Sequence, residues 1–190
     1  MKSYENHINS NLYAYAANNP VHYIDPDGNE TTIFIIHANS GWEKLAKGSH
    51  VSIFFGNPGS ANDGELNNPT LYDPSGSYNG GIEGAIRTPC GIFSEENTSN
   101  PETYINSVLN RENGEYIVSY TINSTPEQEA KMIERAMENG DGFGFNCADN
   151  VSDVMKEIGF KHVFTPGALE KQLQKSDQVT EIKVYKNETE

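Results

Sequence analysis

The chain has 190 residues, with 13 Lys and Arg against 27 Asp and Glu, and a formal net charge of -14. Its length fits one domain with a short appendage, and its few, scattered basic residues disfavour nucleic-acid binding, which needs clustered Lys and Arg. No apolar run approaches the ~20 residues of a membrane span, and the N-terminal residues lack the basic and apolar regions of a signal peptide, so neither is expected.

The N-terminal segment differs in character from the rest of the chain. It is rich in Asn, Tyr and Pro, shows no helical periodicity, and ends in the turn-forming run Asp25 to Gly28 (DPDG). From composition alone, this stretch is a Tyr- and Asn-rich leader segment that ends in a turn.

β-Branched and apolar runs predict the strands of the domain, and Gly, Pro or Asn residues end most of them. The run TTIFII indicates a buried strand, whereas EYIVSYTI and TEIKVY alternate between two faces. Residues 76–100 are rich in Gly, Ser and Asn and are expected to be irregular. Strands are predicted at 31–36, 51–55, 70–73, 115–122 and 180–185.

Start and stop signals predict the helices. Asn100 before Pro101, and Thr125 before Pro126, each place a capping side chain ahead of a proline at the first helical position. Because helices and strands are mixed along the chain and no repeat is visible, we predict the α+β class. Helices are predicted at 101–110, 125–139, 147–158 and 165–174, with a shorter one at 41–47.

Cys147 is the first candidate for chemistry. It follows the run GFGFN and stands at the predicted N-terminus of a helix. The helix dipole and the free backbone N–H groups at that end stabilise a thiolate and can bind an oxyanion, which favours a nucleophilic cysteine. Two other interpretations stay open: an inert buried thiol, and a disulfide with Cys90.

A thiolate nucleophile needs a general base, and histidine is the usual one. His50 begins an apolar strand, which would hold its imidazole rigidly, so it is the preferred base. His37 ends the neighbouring strand, and for it we favour a structural histidine with a satisfied hydrogen bond over a substrate contact. His162 follows the Cys147 helix closely and is expected to be exposed.

The leader segment resembles the closing segment of the Rhs (YD-repeat) core domain. The resemblance rests on NLYAYAANNPVHYIDPDGNE, in which Pro20, Asp25, Pro26 and Gly28 form the family's Pro-x4-Asp-Pro-x-Gly pattern. In that family the core forms a shell around a variable C-terminal toxin, and this segment marks the boundary between them. The resemblance implies that residues 1–29 are the C-terminal remnant of such a core and that 30–190 form the toxin domain, with a boundary near residue 30. The resemblance therefore implies a secreted effector that is delivered into a target cell, with the Rhs core shell and a cognate immunity protein as its partners.

The segments around His50 and Cys147 together resemble the permuted papain-like (NlpC-type) superfamily, which includes lecithin-retinol-acyltransferase-like proteins. They read SHVSIFFG and NCADNV, and the histidine precedes the cysteine by 97 residues, which is the order of the permuted members. The resemblance covers roughly residues 31–175. It implies a small antiparallel sheet packed with helices, with the cysteine at a helix N-terminus.

This superfamily places a third polar residue on the strand after the histidine strand, where it orients the imidazole. In the strand TLYD that residue is Asp73. The same Asp73 also suits a turn-initiating role in Asp-Pro-Ser-Gly, so both interpretations stay open. Ser75 and Ser77 are alternatives for the third position, and Tyr72 is a candidate for the cleft wall.

The implied activity is that of a cysteine-dependent hydrolase with Cys147, His50 and Asp73 as its catalytic residues. By resemblance it cleaves amide or peptide bonds, and peptidoglycan stem peptides are the leading substrate. Alternatives are a lipid or protein acyl hydrolase or acyltransferase, a protease or deamidase acting on a protein, and a non-catalytic binding module.

No cofactor and no metal are expected. Asp149, with Asn146 and Asn150, offers oxygen ligands on the first turn of the Cys147 helix. Such side chains more often serve as helix caps, and we favour that role for them.

Overall fold

The computed structural model of the protein describes residues 30–38, 50–56, 69–81, 90–94, 99–110, 116–142 and 146–186. The leader segment 1–29 and the short helix predicted at 41–47 lie outside these ranges. The boundary near residue 30 therefore stays a prediction.

Six strands in the described ranges form one antiparallel sheet with the order β4-β3-β2-β1-β5-β6. The five strands predicted from the sequence are present to within one residue at each end. The two-residue strand β4 lies in the segment that was expected to be irregular, and it pairs with β3. The bounds are β1 Glu30–His37, β2 His50–Phe55, β3 Thr70–Tyr72, β4 Ile92–Phe93, β5 Tyr116–Asn123 and β6 Val179–Lys186.

The helices lie where the start and stop signals placed them, so the predicted α+β class is confirmed. The helix that begins at Cys147 is α-helical for eight residues and continues as a 3-10 turn, Met155–Ile158, which ends at the left-handed Gly159. Within the described ranges, no helix has the length and apolar character needed to cross a membrane. The bounds are α1 Pro101–Leu109, α2 Pro126–Asn139, α3 Cys147–Val154 and α4 Pro166–Leu173.

Capping side chains fix the points at which α1 and α2 begin. Asn100 Oδ1 accepts hydrogen bonds from the backbone N–H groups of Glu102 at 2.8 Å and Thr103 at 3.2 Å. Thr125 and Gln128 form a reciprocal capping box. Each cap contributes about 1 kcal/mol to stability, and the predicted starts of both helices are confirmed.

The central strands of the sheet are buried on both faces, which explains why β1 is apolar along most of its length, whereas the edge strand β6 is largely exposed. Ile33 and Ile35 point to one face, and Phe34 and Ile36 point to the other. The first face packs against α2, α3 and α4 and is called the α3 face below. The second face packs against α1 and is called the α1 face.

Candidate active site

The antiparallel pairing of β2 with β3 brings His50 close to Asp73. Ile53 pairs with Tyr72 in that register, so the next residue, Asp73, falls opposite Ser52. Residues two apart on a strand share a face, and so do residues directly opposite each other on neighbouring strands. A diagonal contact between His50 and Asp73 therefore follows from the register.

The two side chains form a short hydrogen bond, with 2.5 Å between His50 Nε2 and Asp73 Oδ1. The side chain of Asp73 is only 1% exposed, and that of His50 is 13% exposed. Two further groups donate to this carboxylate: the Tyr104 hydroxyl to Oδ1 at 3.0 Å, and the Tyr78 backbone N–H to Oδ2 at 3.3 Å. Such donors are what allow a carboxylate to remain charged in the interior.

Asp73 also begins a tight turn, so both roles suggested by the sequence are present in one residue. The Gly76 N–H donates to the Asp73 carbonyl at 3.3 Å, and Ser75 adopts the left-handed conformation with a φ of 57°. A Cβ on Gly76 would lie 2.0 Å from Asp73 Oδ2. The turn therefore needs glycine at position 76 because the carboxylate occupies the space of a side chain.

Asp73 is the candidate third residue that contacts His50. The Ser75 hydroxyl donates to the Asp141 carbonyl at 3.3 Å, and Ser77 is exposed. Tyr72 is fully buried, and its hydroxyl donates to the Gly140 carbonyl at 2.6 Å. The expectation that Tyr72 lines a cleft is therefore wrong, since this residue joins the sheet to the end of α2.

Cys147 is the first residue of α3, and its thiol is buried and free. Burial by itself raises the pKa of this thiol. The hydrogen bond from His50, the positive charge of that ring, and the backbone N–H groups of Val51 and Ala148 act in the opposite direction, and the pKa of Cys147 lies below its ordinary value. The sulfur and the imidazole are therefore close enough for each to change the pKa of the other.

The imidazole of His50 is held between an acid and a thiol. Burial lowers the pKa of His50, but the charge of Asp73, its hydrogen bond, and then the contact with Cys147 outweigh burial and raise the pKa to about 10. Because Nε2 is bonded to Asp73, Nδ1 is the ring nitrogen left for the sulfur. The arrangement favours a thiolate–imidazolium pair at neutral pH.

The start of α3 carries no side-chain cap. Asn146 holds the N-cap position but makes no capping hydrogen bond, because its φ of -88° and ψ of 11° depart from the extended geometry of a cap. The expectation that Asn146 caps the helix is therefore wrong. Backbone N–H groups at this end, with the positive pole of the helix dipole, remain directed toward the region of the Cys147 sulfur.

The Gly76→Ala variant is expected to displace the Asp73 carboxylate and to slow alkylation of Cys147 by iodoacetamide by about tenfold to a hundredfold. The new methyl group would clash with a carboxylate that its own hydrogen bonds hold in place. Mass spectrometry measures the alkylation rate. The parent and the variant both carry Cys90→Ala, so that Cys147 is the one thiol left to react. Ser77→Ala, an exposed change in the same loop, is the control, and an unchanged rate in Gly76→Ala would contradict the tight fit.

Two other described histidines make their contacts outside the candidate triad of Cys147, His50 and Asp73. His37 Nε2 bonds Glu170 Oε1 at 3.0 Å, and its ring stacks on Tyr116 at 4.7 Å between centroids. His37 is thus a strand-end histidine with a satisfied hydrogen bond, the role that the sequence favoured. His162 is exposed, as predicted, and its Nε2 lies 2.5 Å from Asp149 Oδ1.

The disulfide interpretation of the two cysteines is wrong, because Cys90 and Cys147 are both free and Cys90 is exposed. In the part of the chain that the structure describes, no group of three or more His, Cys, Asp or Glu side chains is arranged to hold a metal ion. The nearest acidic side chain in sequence to the thiol, Asp149, is paired with His162.

Sequence reasoning missed three contributors to the site. Tyr104 lies within the helix predicted at 101–110, where nothing in the sequence marks it as a donor to Asp73, and Gly76 stands in a segment expected to be irregular. The N–H of Val51 belongs to a strand, where sequence gives no sign that it reaches a sulfur.

Comparison of the chain with protein-family models, with curated proteins and with solved structures found no match.

Proposed function

We propose that the chain is a cysteine-dependent acyl hydrolase in which Cys147 is the nucleophile, His50 is the general acid and base, and Asp73 orients the imidazole. One observation supports this more than any other: the His50 ring is hydrogen-bonded to the buried Asp73 carboxylate and lies close enough to the Cys147 thiol for each of the two groups to shift the pKa of the other. Buried titratable groups with opposing pKa shifts cluster at functional sites more often than in structural cores.

The reaction is an acyl transfer through a thioester. The thiolate of Cys147 attacks the carbonyl carbon of an amide, and the imidazolium of His50 gives its Nδ1 proton to the leaving nitrogen as the C–N bond breaks. The neutral imidazole then takes a proton from water, whose oxygen attacks the thioester. The C–S bond breaks, and the thiolate and the imidazolium are restored while the acid product leaves.

The oxyanion formed at each attack needs hydrogen-bond donors. The uncapped start of α3 supplies backbone N–H groups beside the nucleophile, and no side chain of Asn146 competes for them. Donors that are fixed in place before the reaction stabilise a developing negative charge without a reorganisation cost. This end of α3 is therefore the proposed oxyanion site.

The proposed substrate is an amide bond in the stem peptides of peptidoglycan, and this choice rests on the resemblance to the NlpC-type superfamily. On the resemblance of residues 1–29 to an Rhs core, the domain is a toxin delivered into a rival cell, and a cognate immunity protein covers its cleft. A net charge of -14 gives no electrostatic attraction to an anionic wall polymer. Recognition must therefore come from local contacts around the cleft.

Incubation of the 190-residue chain with purified muropeptides, followed by mass spectrometry, tests this proposal. The expected product carries one added water across a stem-peptide amide, and rapid acid quenching is expected to trap an acyl group on Cys147. Parallel incubations use phospholipid vesicles and casein. Hydrolysis of one of these instead would redirect the proposal to a lipid or protein substrate, and no turnover of any of the three by folded protein would favour a binding module.

A further inference from the structure

We infer that Tyr104 is a positioning residue, which holds the Asp73 carboxylate in line with His50 from the α1 face of the sheet, whereas the helix that carries Cys147 packs on the α3 face; this inference rests on the proposed function. The Tyr104 hydroxyl donates to Asp73 Oδ1 at 3.0 Å, and the same oxygen receives His50 Nε2. The site would thus contain four side chains in series, of which Cys147 and His50 act on the substrate.

The carboxylate is held at both of its oxygens. Oδ1 is shared by the imidazole and the Tyr104 hydroxyl, and Oδ2 receives the Tyr78 backbone N–H. A carboxylate that bonds the imidazole alone can still rotate about its Cβ–Cγ bond, whereas one bonded at both oxygens cannot. The direction of the Oδ1 lone pairs toward His50 therefore depends on the donors on the α1 face.

Tyr104 itself is rigid. Its side chain is fully buried, and its ring packs against Phe34 at 5.5 Å and edge-on against Tyr78 at 5.1 Å between centroids. It stands on the first turn of α1, whose start is fixed by the Asn100 cap. A hydroxyl held by a packed ring on a capped helix has little freedom to follow the carboxylate, so it imposes an orientation on it.

A purely structural tyrosine would have the same packing. The two roles differ in whether removal of the Tyr104 hydroxyl changes the reactivity of Cys147 or only the stability of the fold. If Tyr104 acts through Asp73, removing its hydroxyl has little effect once the carboxylate is already gone. If it only supports the core, its loss lowers stability and leaves the behaviour of the thiol unchanged. A double-mutant cycle separates these cases because it isolates the coupling between two side chains.

The experiment measures Cys147 alkylation by iodoacetamide against pH in four proteins that all carry Cys90→Ala: the parent, Tyr104→Phe, Asp73→Asn and the double variant. Tyr104→Phe is expected to slow alkylation at neutral pH by about fivefold to tenfold, roughly the net contribution of one ordinary hydrogen bond. Its profile is expected to move toward that of Asp73→Asn, and the double variant should match Asp73→Asn.

The matched control is Tyr120→Phe, which removes a tyrosine hydroxyl that donates to a different carboxylate, Glu170 Oε1, at 3.1 Å. An unchanged pH profile in Tyr104→Phe, or an added loss in the double variant, would overturn the inference while leaving the proposed hydrolase intact. If alkylation of Cys147 in the parent followed the pH dependence of an ordinary free thiol, that result would instead count against the proposed function itself.

The wild-type chain offers a second route if Tyr104→Phe does not fold. With 13C at the hydroxyl-bearing ring carbon of tyrosine, the Tyr104 resonance is expected to shift as His50 loses its proton, because the two share Asp73 Oδ1. That shift should vanish in Asp73→Asn. A Tyr104 resonance that does not respond to the His50 titration would overturn the inference.

Discussion

Cys147→Ala is expected to reduce hydrolysis by on the order of a thousandfold or more, because the acyl-enzyme cannot form without the sulfur. The variant keeps the small apolar volume at the start of α3, so its fold and its free energy of unfolding should change little. Hydrolysis is followed by mass spectrometry of the products. On the proposed toxin function, the same variant is also expected to lose toxicity when it is expressed in a bacterial cell.

Cys90→Ala is the matched control for this experiment. Cys90 is a free, exposed thiol, so its removal should leave hydrolysis and toxicity near the parent level. Equal loss in both variants would point to a general effect of losing a thiol. Full activity in Cys147→Ala would remove the nucleophile from the proposal and leave a non-catalytic module as the better interpretation.

Local signals predicted the starts of α1, α2 and α4 well, because each of these starts is specified by adjacent residues. The Thr125 cap, Pro126 and Gln128 act within one turn, so sequence contains all that is needed to place α2. The same holds for Asn100 and Pro101 at the start of α1. Strand positions also followed from short apolar runs, since a sheet buried on both faces leaves few polar residues in its central strands.

β4 could not be predicted in this way. It has two residues, Ile92 and Phe93, and lies in a segment rich in Gly and Ser. Two residues are too few to display a period of two, and the strand exists because Leu71 and Tyr72 offer it an edge to pair with. The formation of β4 depends on its pairing with β3, so the local sequence alone does not predict it.

The Cys147–His50 pairing was predictable in part, and its surroundings were not. A cysteine at a helix start and a histidine at a strand start each stand out, but their meeting depends on how α3 packs on β2. Asp73 carried two possible roles, which are compatible because the backbone makes the turn while the side chain bonds the ring. Tyr104 was indistinguishable from core because sequence does not reveal which carboxylate lies opposite a helix.

The site draws on both faces of one sheet, and this has a mechanistic consequence. The thiol belongs to α3, which packs on one face, whereas the donors that hold Asp73 come from the α1 face. His50, at the beginning of β2, lies between the two, with Nε2 bonded to Asp73 and its ring beside Cys147. Local loosening of α1 should therefore lower the reactivity of Cys147.

His50→Asn is expected to change the pH dependence of the thiol more than any other single substitution. In the parent, His50 holds the pKa of Cys147 below its ordinary value, so the thiolate persists at neutral pH. Without the ring, burial dominates and raises that pKa, so alkylation at neutral pH should fall by roughly tenfold to a hundredfold. It should then recover by about tenfold per pH unit toward alkaline pH, as an isolated thiol does.

Hydrolysis by the parent supplies the second half of this test, because it needs the thiolate and the imidazolium together. Activity should rise as Cys147 ionises and fall as His50 loses its proton near its pKa of about 10. The control is Ser52→Ala, since the Ser52 hydroxyl is buried on the same strand without a hydrogen-bond partner in the described structure. If the alkylation rate were independent of pH in both His50→Asn and Ser52→Ala, the imidazole would not be what lowers the pKa of Cys147. In that case the low pKa of Cys147 would have to come from the start of α3 alone, and that helix end cannot supply the proton that a leaving amine requires.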